Sequence, residues 1–483
     1  MSISNFSLIL FFILFPFTLK AQTHPALERF LYSSHLSGAS VSIMIKDINS
    51  GEVIYSYDAD REVIPASILK TVTTSAALEI LGEDFRYETA IMYDGQINGN
   101  VLNGNIYIHG SGDPTLGSIE METERDEKIK EWIAAIKETG IKTIVGAVIA
   151  DESIFDTEGI SMKWLREDLG SYYGQGCYGI NIYDNRFSLF LNTGKTGSKP
   201  SIERCDPDMP LIHFHNYLTT ANENEDSTYI VGLPYSNERY LYGIVPAKRS
   251  AHKINGDIPD PALFMAEYLT NLLNNEQITV IGSPTCYRLL SQRGIWNKQE
   301  RKLITKTYSL PLKDIVRITN HVSSNLYADA LLKTIGLKYE SDKIESSFGK
   351  GIKILNKHWE DKGFNTSHLW MFDGSGLAPT DKVTATFMCE LLSYMATKSA
   401  VSKTFVESIP LAGIDGTVKN FLRDSKLQGK VRLKSGSMSR VRSYTGYLTQ
   451  DEKQYAIAIL VNNFSCTQAF IRVDIEQLLL SLF

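Results

Sequence analysis

Three short runs near the end of the chain alternate with period two: Val431–Leu433, Tyr444–Leu448 and Tyr455–Val461. Successive side chains of a strand point to opposite faces, so these runs read as consecutive antiparallel strands. A final helix over about Thr467–Leu482 follows, and its end is apolar (Leu478, Leu479, Leu480, Leu482, Phe483). That helix is expected to pack on the closing sheet; the other reading of its apolar end is peripheral membrane contact. At the opposite end of the chain, Val41–Ile45 and Val53–Tyr55 flank Asn49-Ser50-Gly51 and read as a β-hairpin. Between these ends the pattern predicts helices over about 67–81 (stopped by Gly82), 126–139, 261–274, 322–337 and 382–398. Ile144–Ala150 reads as one buried strand, and 193–237 as a loop-rich subdomain with candidate strands at 211–214 and 229–231. Helix, long mixed insertion, helices and a closing antiparallel sheet make an α+β, multi-domain chain.

Phe6–Leu19 is an almost unbroken apolar run, shorter than the roughly 20 residues a spanning helix needs. Ala21 offers a small residue for cleavage before Gln22, so residues 1–21 read as a signal peptide of an exported, periplasmic protein. Its n-region departs from the usual pattern in having no Lys or Arg. After cleavage no integral membrane segment is expected. The chain has 483 residues, with 49 Lys plus Arg against 55 Asp plus Glu. The resulting net charge of −6 argues against a nucleic-acid partner. Five scattered cysteines without a C-x-x-C pair argue against zinc ribbons, thioredoxin-like redox motifs and disulfide-dense scaffolds, and their odd number leaves at least one thiol unpaired within the chain.

Chemistry concentrates in three places. Ser67-Ile68-Leu69-Lys70 puts a hydroxyl and an amine on one helix face, where the amine can take the proton of a serine that is otherwise a poor nucleophile. Ser250-Ala251-His252-Lys253 and Ser347-Phe348-Gly349-Lys350 match the same pattern. Ser67 is preferred because Pro65-Ala66 sets it at a helix start, where unpaired N–H groups can hold an oxyanion. Ser323-Ser324-Asn325 adds a hydroxyl and an amide at another helix start, where plain capping would suit the same residues. Lys434-Ser435-Gly436 lies on a strand and offers a fixed cation, a hydroxyl and a glycine beside which a substrate backbone could lie. Lys195-Thr196-Gly197 matches it as text but sits in a polar loop, without a flanking strand, and is set aside.

These three elements in this order form the signature set of penicillin-binding proteins and class A β-lactamases. The whole mature chain resembles the D-alanyl-D-alanine carboxypeptidase/endopeptidase family, the class C low-molecular-mass penicillin-binding proteins (peptidase family S13). The likeness extends to Leu81-Gly82-Glu83-Asp84-Phe85-Arg86, Gly110-Ser111-Gly112-Asp113-Pro114-Thr115-Leu116, Asp373-Gly374-Ser375-Gly376-Leu377 and Ala412-Gly413-Ile414-Asp415-Gly416-Thr417. Ser324 and Ser435 depart from it, standing where Asp or Asn and Thr are usual.

The resemblance implies a serine β-lactamase/transpeptidase-like domain, an antiparallel sheet with helices on both sides, formed discontinuously by 22–90 and 298–483. Residues 91–297 would be an insertion of two smaller domains in the family pattern, which would account for the roughly 250 residues between Lys70 and Ser323. It implies a serine DD-peptidase acting on peptidoglycan stem peptides and acylated by β-lactam antibiotics, with no cofactor and no metal. Ser67, Lys70, Ser323, Asn325 and Lys434 would be catalytic, and Ser435, Gly436 and Ser437 would bind substrate, with Ser67 and Ser437 N–H groups as the oxyanion hole. Burial and the charge of Lys434 are expected to lower the pKa of Lys70. A β-lactamase-like or esterase hydrolase on the same scaffold, and a non-catalytic wall-binding protein, are the other readings. Outside this set, His213 and His215 share a strand face without an evident third metal ligand, Gly110-Ser111-Gly112 reads as a turn rather than a phosphate loop, and Trp164, Asp168 and Tyr173 are candidates for the substrate rim.

Overall fold

The computed structural model describes residues 24–121, 123–222, 224–297, 299–338 and 345–483. The segment read as a signal peptide, residues 1–21, lies outside the described residues.

Both ends of the chain build one antiparallel sheet. Strands β1 (Ser40–Asp47) and β2 (Val53–Tyr57) form the expected hairpin, and β3 (Val431–Met438), β4 (Val441–Gln450) and β5 (Lys453–Asn462) join it in the order β2-β1-β5-β4-β3. The pleat sorts side chains between two cores. Ile43, Ile45, Ile457, Ile459 and Val461 face helices α1 (Pro25–Leu31) and α7 (Gln468–Leu482). Met44, Ala456, Ala458 and Leu460 face the other side, against α2 (Leu69–Leu81), α4 (Asn325–Gly336) and α6 (Ala385–Thr397). Small alanines on that face let α6 lie close to β5. The final helix buries Ile471, Ile475, Leu478 and Leu479 against the sheet, so its apolar end is core.

The long central segment leaves and re-enters through neighbouring strands. Glu88–Tyr93 pairs antiparallel with Lys302–Tyr308 in a second five-stranded sheet. Helices Glu127–Glu138 and Pro261–Asn275 supply Trp132, Ile136, Met265 and Leu269 to a core of its own.

Several elements differ from expectation. Ile144–Ala150 is two strands, Thr143–Ile144 and Val148–Asp151, in different sheets. Gly146 turns the chain between them, packed so closely that a Cβ would lie 2.4 Å from the Gly104 carbonyl. Segment 193–237 is richer in strands than expected, with pairing at 201–206, 213–216, 219–221 and 229–231. Lys195-Thr196-Gly197 is flanked by strands after all, since it joins Arg186–Asn192 to Ser201–Asp206, but it lies on neither. The helix expected over 322–337 is α4, which starts three residues later, at Asn325; the helix just before it, α3 (Leu312–Val322), was not expected, and Ser323 in the left-handed conformation (φ 60°, ψ 39°) separates the two. Helix α5 (Ser347–Asp361) was not foreseen from the polar stretch before it; Ser346 caps it through Gly349 N–H. Ser347 therefore also begins a helix, so the helix-start argument alone does not separate it from Ser67.

Candidate active site

Ser67 lies in a tight 3-10 turn, Ala66–Ile68, that feeds directly into α2. Lys70, one turn on, is fully buried. Its Nζ lies 2.9 Å from Ser67 Oγ, and it donates to Asn325 Oδ1 at 2.6 Å and the Ser375 carbonyl at 2.6 Å. Two fixed acceptors thus hold two N–H groups and leave the third tetrahedral position of the amine facing the serine. A neutral amine so held turns its lone pair to the Ser67 hydroxyl.

The break between α3 and α4 places the second motif. Because Ser323 takes the left-handed conformation, its side chain leaves the helical path, and capping falls to Ser324, whose Oγ accepts from Tyr327 N–H. Asn325 then faces Lys70 and donates through Nδ2 to the Tyr173 carbonyl at 2.8 Å. Lys434, fully buried on β3, donates to Ser323 Oγ and to the Ser435 carbonyl, both at 2.8 Å. Gly436 is where β3 rests on the nucleophile turn: a Cβ there would lie 2.2 Å from Ser443 Oγ, 2.7 Å from the Pro65 carbonyl and 3.0 Å from Ser67 N. Its smallness therefore serves the protein's own backbone packing, where the sequence suggested room for a substrate. Ser67, Ser323, Asn325 and Ser437 line one cleft of about 580 Å³, with Asp168, Tyr173 and Leu377 on its walls. Trp164 is buried instead, donating through Nε1 to Asp373 at 2.7 Å.

The electrostatics are set by burial. Desolvation lowers Lys70 to about 8, while buried Asp329, Asp373 and Asp381 pull the other way. Lys434 is held well below the usual lysine range, first by burial and then by the charges of Lys70 and Arg442. This corrects two expectations. Burial and neighbouring cations work against a fixed charge on Lys434, and of the two causes expected to depress Lys70 burial is the one that does so. Burial also holds the carboxyls of Asp329 and Asp381 well above their usual range.

The motif Asp373-Gly374-Ser375-Gly376-Leu377, to which the sequence assigned no role, supplies the loop behind Lys70. Asp373 accepts from the N–H groups of Ser375 (2.9 Å), Gly376 (2.6 Å) and Ala378 (2.8 Å) besides Trp164. Asp329 Oδ1 accepts from Gly374 N–H at 2.8 Å. The N–H donors of Ser375, Gly376 and Ala378 are local to Asp373, but Asp329 lies 45 residues from Gly374 and Trp164 lies 209 from Asp373, and those two contacts are not legible as a sequence pattern.

The competing residues lie elsewhere. Ser347 Oγ donates to Asp156, and Ser250 and Lys195 are on exposed loops. His215 pairs with Glu238 and stacks on Tyr240. Among the described residues no His, Cys, Asp or Glu cluster could hold a metal, and all five cysteines are unpaired.

The model of the D-Ala-D-Ala carboxypeptidase 3 (S13) family matches residues 23–479. A D-alanyl-D-alanine carboxypeptidase of Actinomadura sp. (strain R39) is 25% identical over 91% of this chain and 80% of its own. D-alanyl-D-alanine carboxypeptidase DacB of Haemophilus influenzae is 26% identical over 89% of this chain and 86% of its own. The crystal structure of penicillin binding protein 4 from Haemophilus influenzae shares the fold, with a TM-score of 0.80, 23% identity, and coverage of 94% of this chain and 98% of that one.

Proposed function

The chain belongs to the D-Ala-D-Ala carboxypeptidase 3 (S13) family, and from that premise we propose how it works as a serine DD-peptidase on peptidoglycan. The observation that carries the mechanism is the placement of Lys70 Nζ between two fixed acceptors and Ser67 Oγ. Neutral Lys70 takes the Ser67 proton as Oγ attacks the carbonyl of a D-Ala–D-X bond. The N–H groups of Ser67 and Ser437 receive the oxyanion. Collapse of the tetrahedral intermediate breaks the C–N bond, and the leaving amine takes a proton passed through Ser323, which Lys434 holds. Lys434, Ser435 and Ser437 hold the substrate's terminal carboxylate, and Asn325 orients Lys70 while bridging to the Tyr173 wall. Water, activated by the same Lys70, then cleaves the acyl-serine ester.

β-Lactams would enter the same step and stop at the ester; the Haemophilus influenzae relative has been crystallised with a β-lactam. We assign 22–90 and 298–483 to the catalytic domain and 91–297 to the insertion, and place the protein in the periplasm as an exported enzyme. No helix among the described residues is long and apolar enough to cross a membrane.

The test is direct. Purified protein is incubated with a stem peptide ending in D-Ala-D-Ala, and separately with labelled penicillin. Release of D-Ala and an adduct mapping to Ser67 are expected. No D-Ala release, or an adduct on another serine, would overturn the mechanism.

A further inference from the structure

The Ala412–Thr417 segment lies outside the three catalytic motifs, yet it is built against the strand that carries Lys434. Its start is tied to β3: Ala412 N–H donates to the Val431 carbonyl at 2.8 Å, and Leu433 N–H donates to the Pro410 carbonyl at 2.9 Å. Asp415 Oδ1 closes the turn by accepting from Leu411 N–H at 2.7 Å. Gly416 has φ +56°, and a Cβ there would lie 2.9 Å from the His321 carbonyl, two residues before Ser323. Val418, 1% exposed, anchors the far side in the core. Thr417 is thus wedged between the end of α3 and β3, and its Oγ1 lies 2.8 Å from Ser435 Oγ.

Ser435 holds two jobs in this arrangement. Its carbonyl accepts from Lys434, and its hydroxyl is the group that would meet a substrate carboxylate. A serine has no γ-methyl to restrict χ1, whereas a β-branched threonine does. An unconstrained Ser435 hydroxyl would lose rotamer freedom each time a substrate bound. A neighbouring O–H donor fixes it beforehand, and a chain of hydroxyl bonds polarises the last one.

We propose that Thr417 is a positioning residue for the terminal-carboxylate site: its hydroxyl donates to Ser435 Oγ, so that the Ser435 O–H points at the carboxylate of the substrate. The inference rests on the DD-peptidase reading and extends it to how a free C-terminal acid is recognised. Thr417 does not touch the reacting atoms.

The experiment compares acylation of the full-length protein by benzylpenicillin, which carries the carboxylate, and by its methyl ester, which does not. Thr417→Val keeps the shape and removes the hydroxyl. Its second-order acylation rate should fall about 3- to 10-fold on the acid, the worth of one hydrogen bond, and clearly less on the ester. Thr417→Ser should lose less than Thr417→Val. Adding Ser435→Thr to Thr417→Val should recover most of the loss, because the γ-methyl then restricts the rotamer. Equal losses on acid and ester, no loss on the acid, or no rescue would each overturn the proposal. A wild-type protein not acylated at Ser67 would overturn the peptidase reading, and this inference with it.

Discussion

Lys434 Nζ donates to Ser323 Oγ at 2.8 Å, a second lysine–serine pair facing the Lys70–Ser67 pair at 2.9 Å. The two pairs differ in what surrounds the amine. Lys70 has an amide, a carbonyl and three buried carboxyls around it. Lys434 has Ser323, the Ser435 carbonyl and two neighbouring cations, Lys70 and Arg442. The first environment suits a base that must hold a proton briefly, the second a group that gains its charge when a carboxylate arrives.

Replacing Ser67 by Ala should abolish covalent penicillin labelling. Ser347→Ala and Ser250→Ala should leave it intact, even though Ser347 also starts a helix, because its hydroxyl is engaged with Asp156. Gel labelling followed by peptide mapping decides; an adduct surviving in Ser67→Ala would reject the assignment.

Asp373→Asn tests the loop behind the base. The change puts an NH₂ group where a carboxylate oxygen accepts from N–H donors. A buried group left unmatched costs about 1–3 kcal/mol, more for a charged one, so the melting temperature should drop. The Ser375 carbonyl, and with it Lys70, should also shift. Acylation measured well below the new melting temperature should therefore fall at least about tenfold. Unchanged acylation in a destabilised but folded variant would confine Asp373 to a stability role.

How much of this was legible in sequence follows from the range of the interactions. The strands β3, β4 and β5 announce themselves by alternation, and the Ser67–Lys70 pair by spacing on one helix, because both are local patterns. Ser323-Ser324-Asn325 reads as a helix start, and α4 does begin there, but nothing in a Ser-Ser pair compels the left-handed turn that separates it from α3. That turn separates two helices that both pack against α2. Asp373 and Thr417 were visible only as members of family-like motifs. Their partners, Trp164 and Ser435, come from other segments, and no periodicity links them.

Lys434→Ala should weaken acylation strongly, and Lys195→Ala should leave it close to wild type. A charged hydrogen bond to a carboxylate contributes about 1.5–3 kcal/mol, or roughly 10- to 150-fold. Lys195 lies on an exposed hairpin loop. Acylation rates of the two variants with benzylpenicillin make the comparison; similar losses would sink the role given to Lys434.

The pH profile of acylation separates burial from charge coupling. Lys70 works as a base only when neutral, and burial brings it to about 8. The neutral fraction, and so the rate, should rise about tenfold per pH unit below 8 and level off above it. A free lysine, near 10.4, would still be climbing at pH 10. If the charge of Lys434 were what depressed Lys70, removing it would raise the apparent pKa. Burial is the largest cause of the shift at Lys70, and Lys434 is not among the charges that move it. Lys434→Gln should therefore lower the rate at every pH while leaving the midpoint close to that of the wild type. Penicillin acylation from about pH 5 to 10 in both proteins checks this. A wild-type curve flat to pH 9 would remove the depressed base, and a midpoint about one unit higher in the variant would restore charge coupling as its cause.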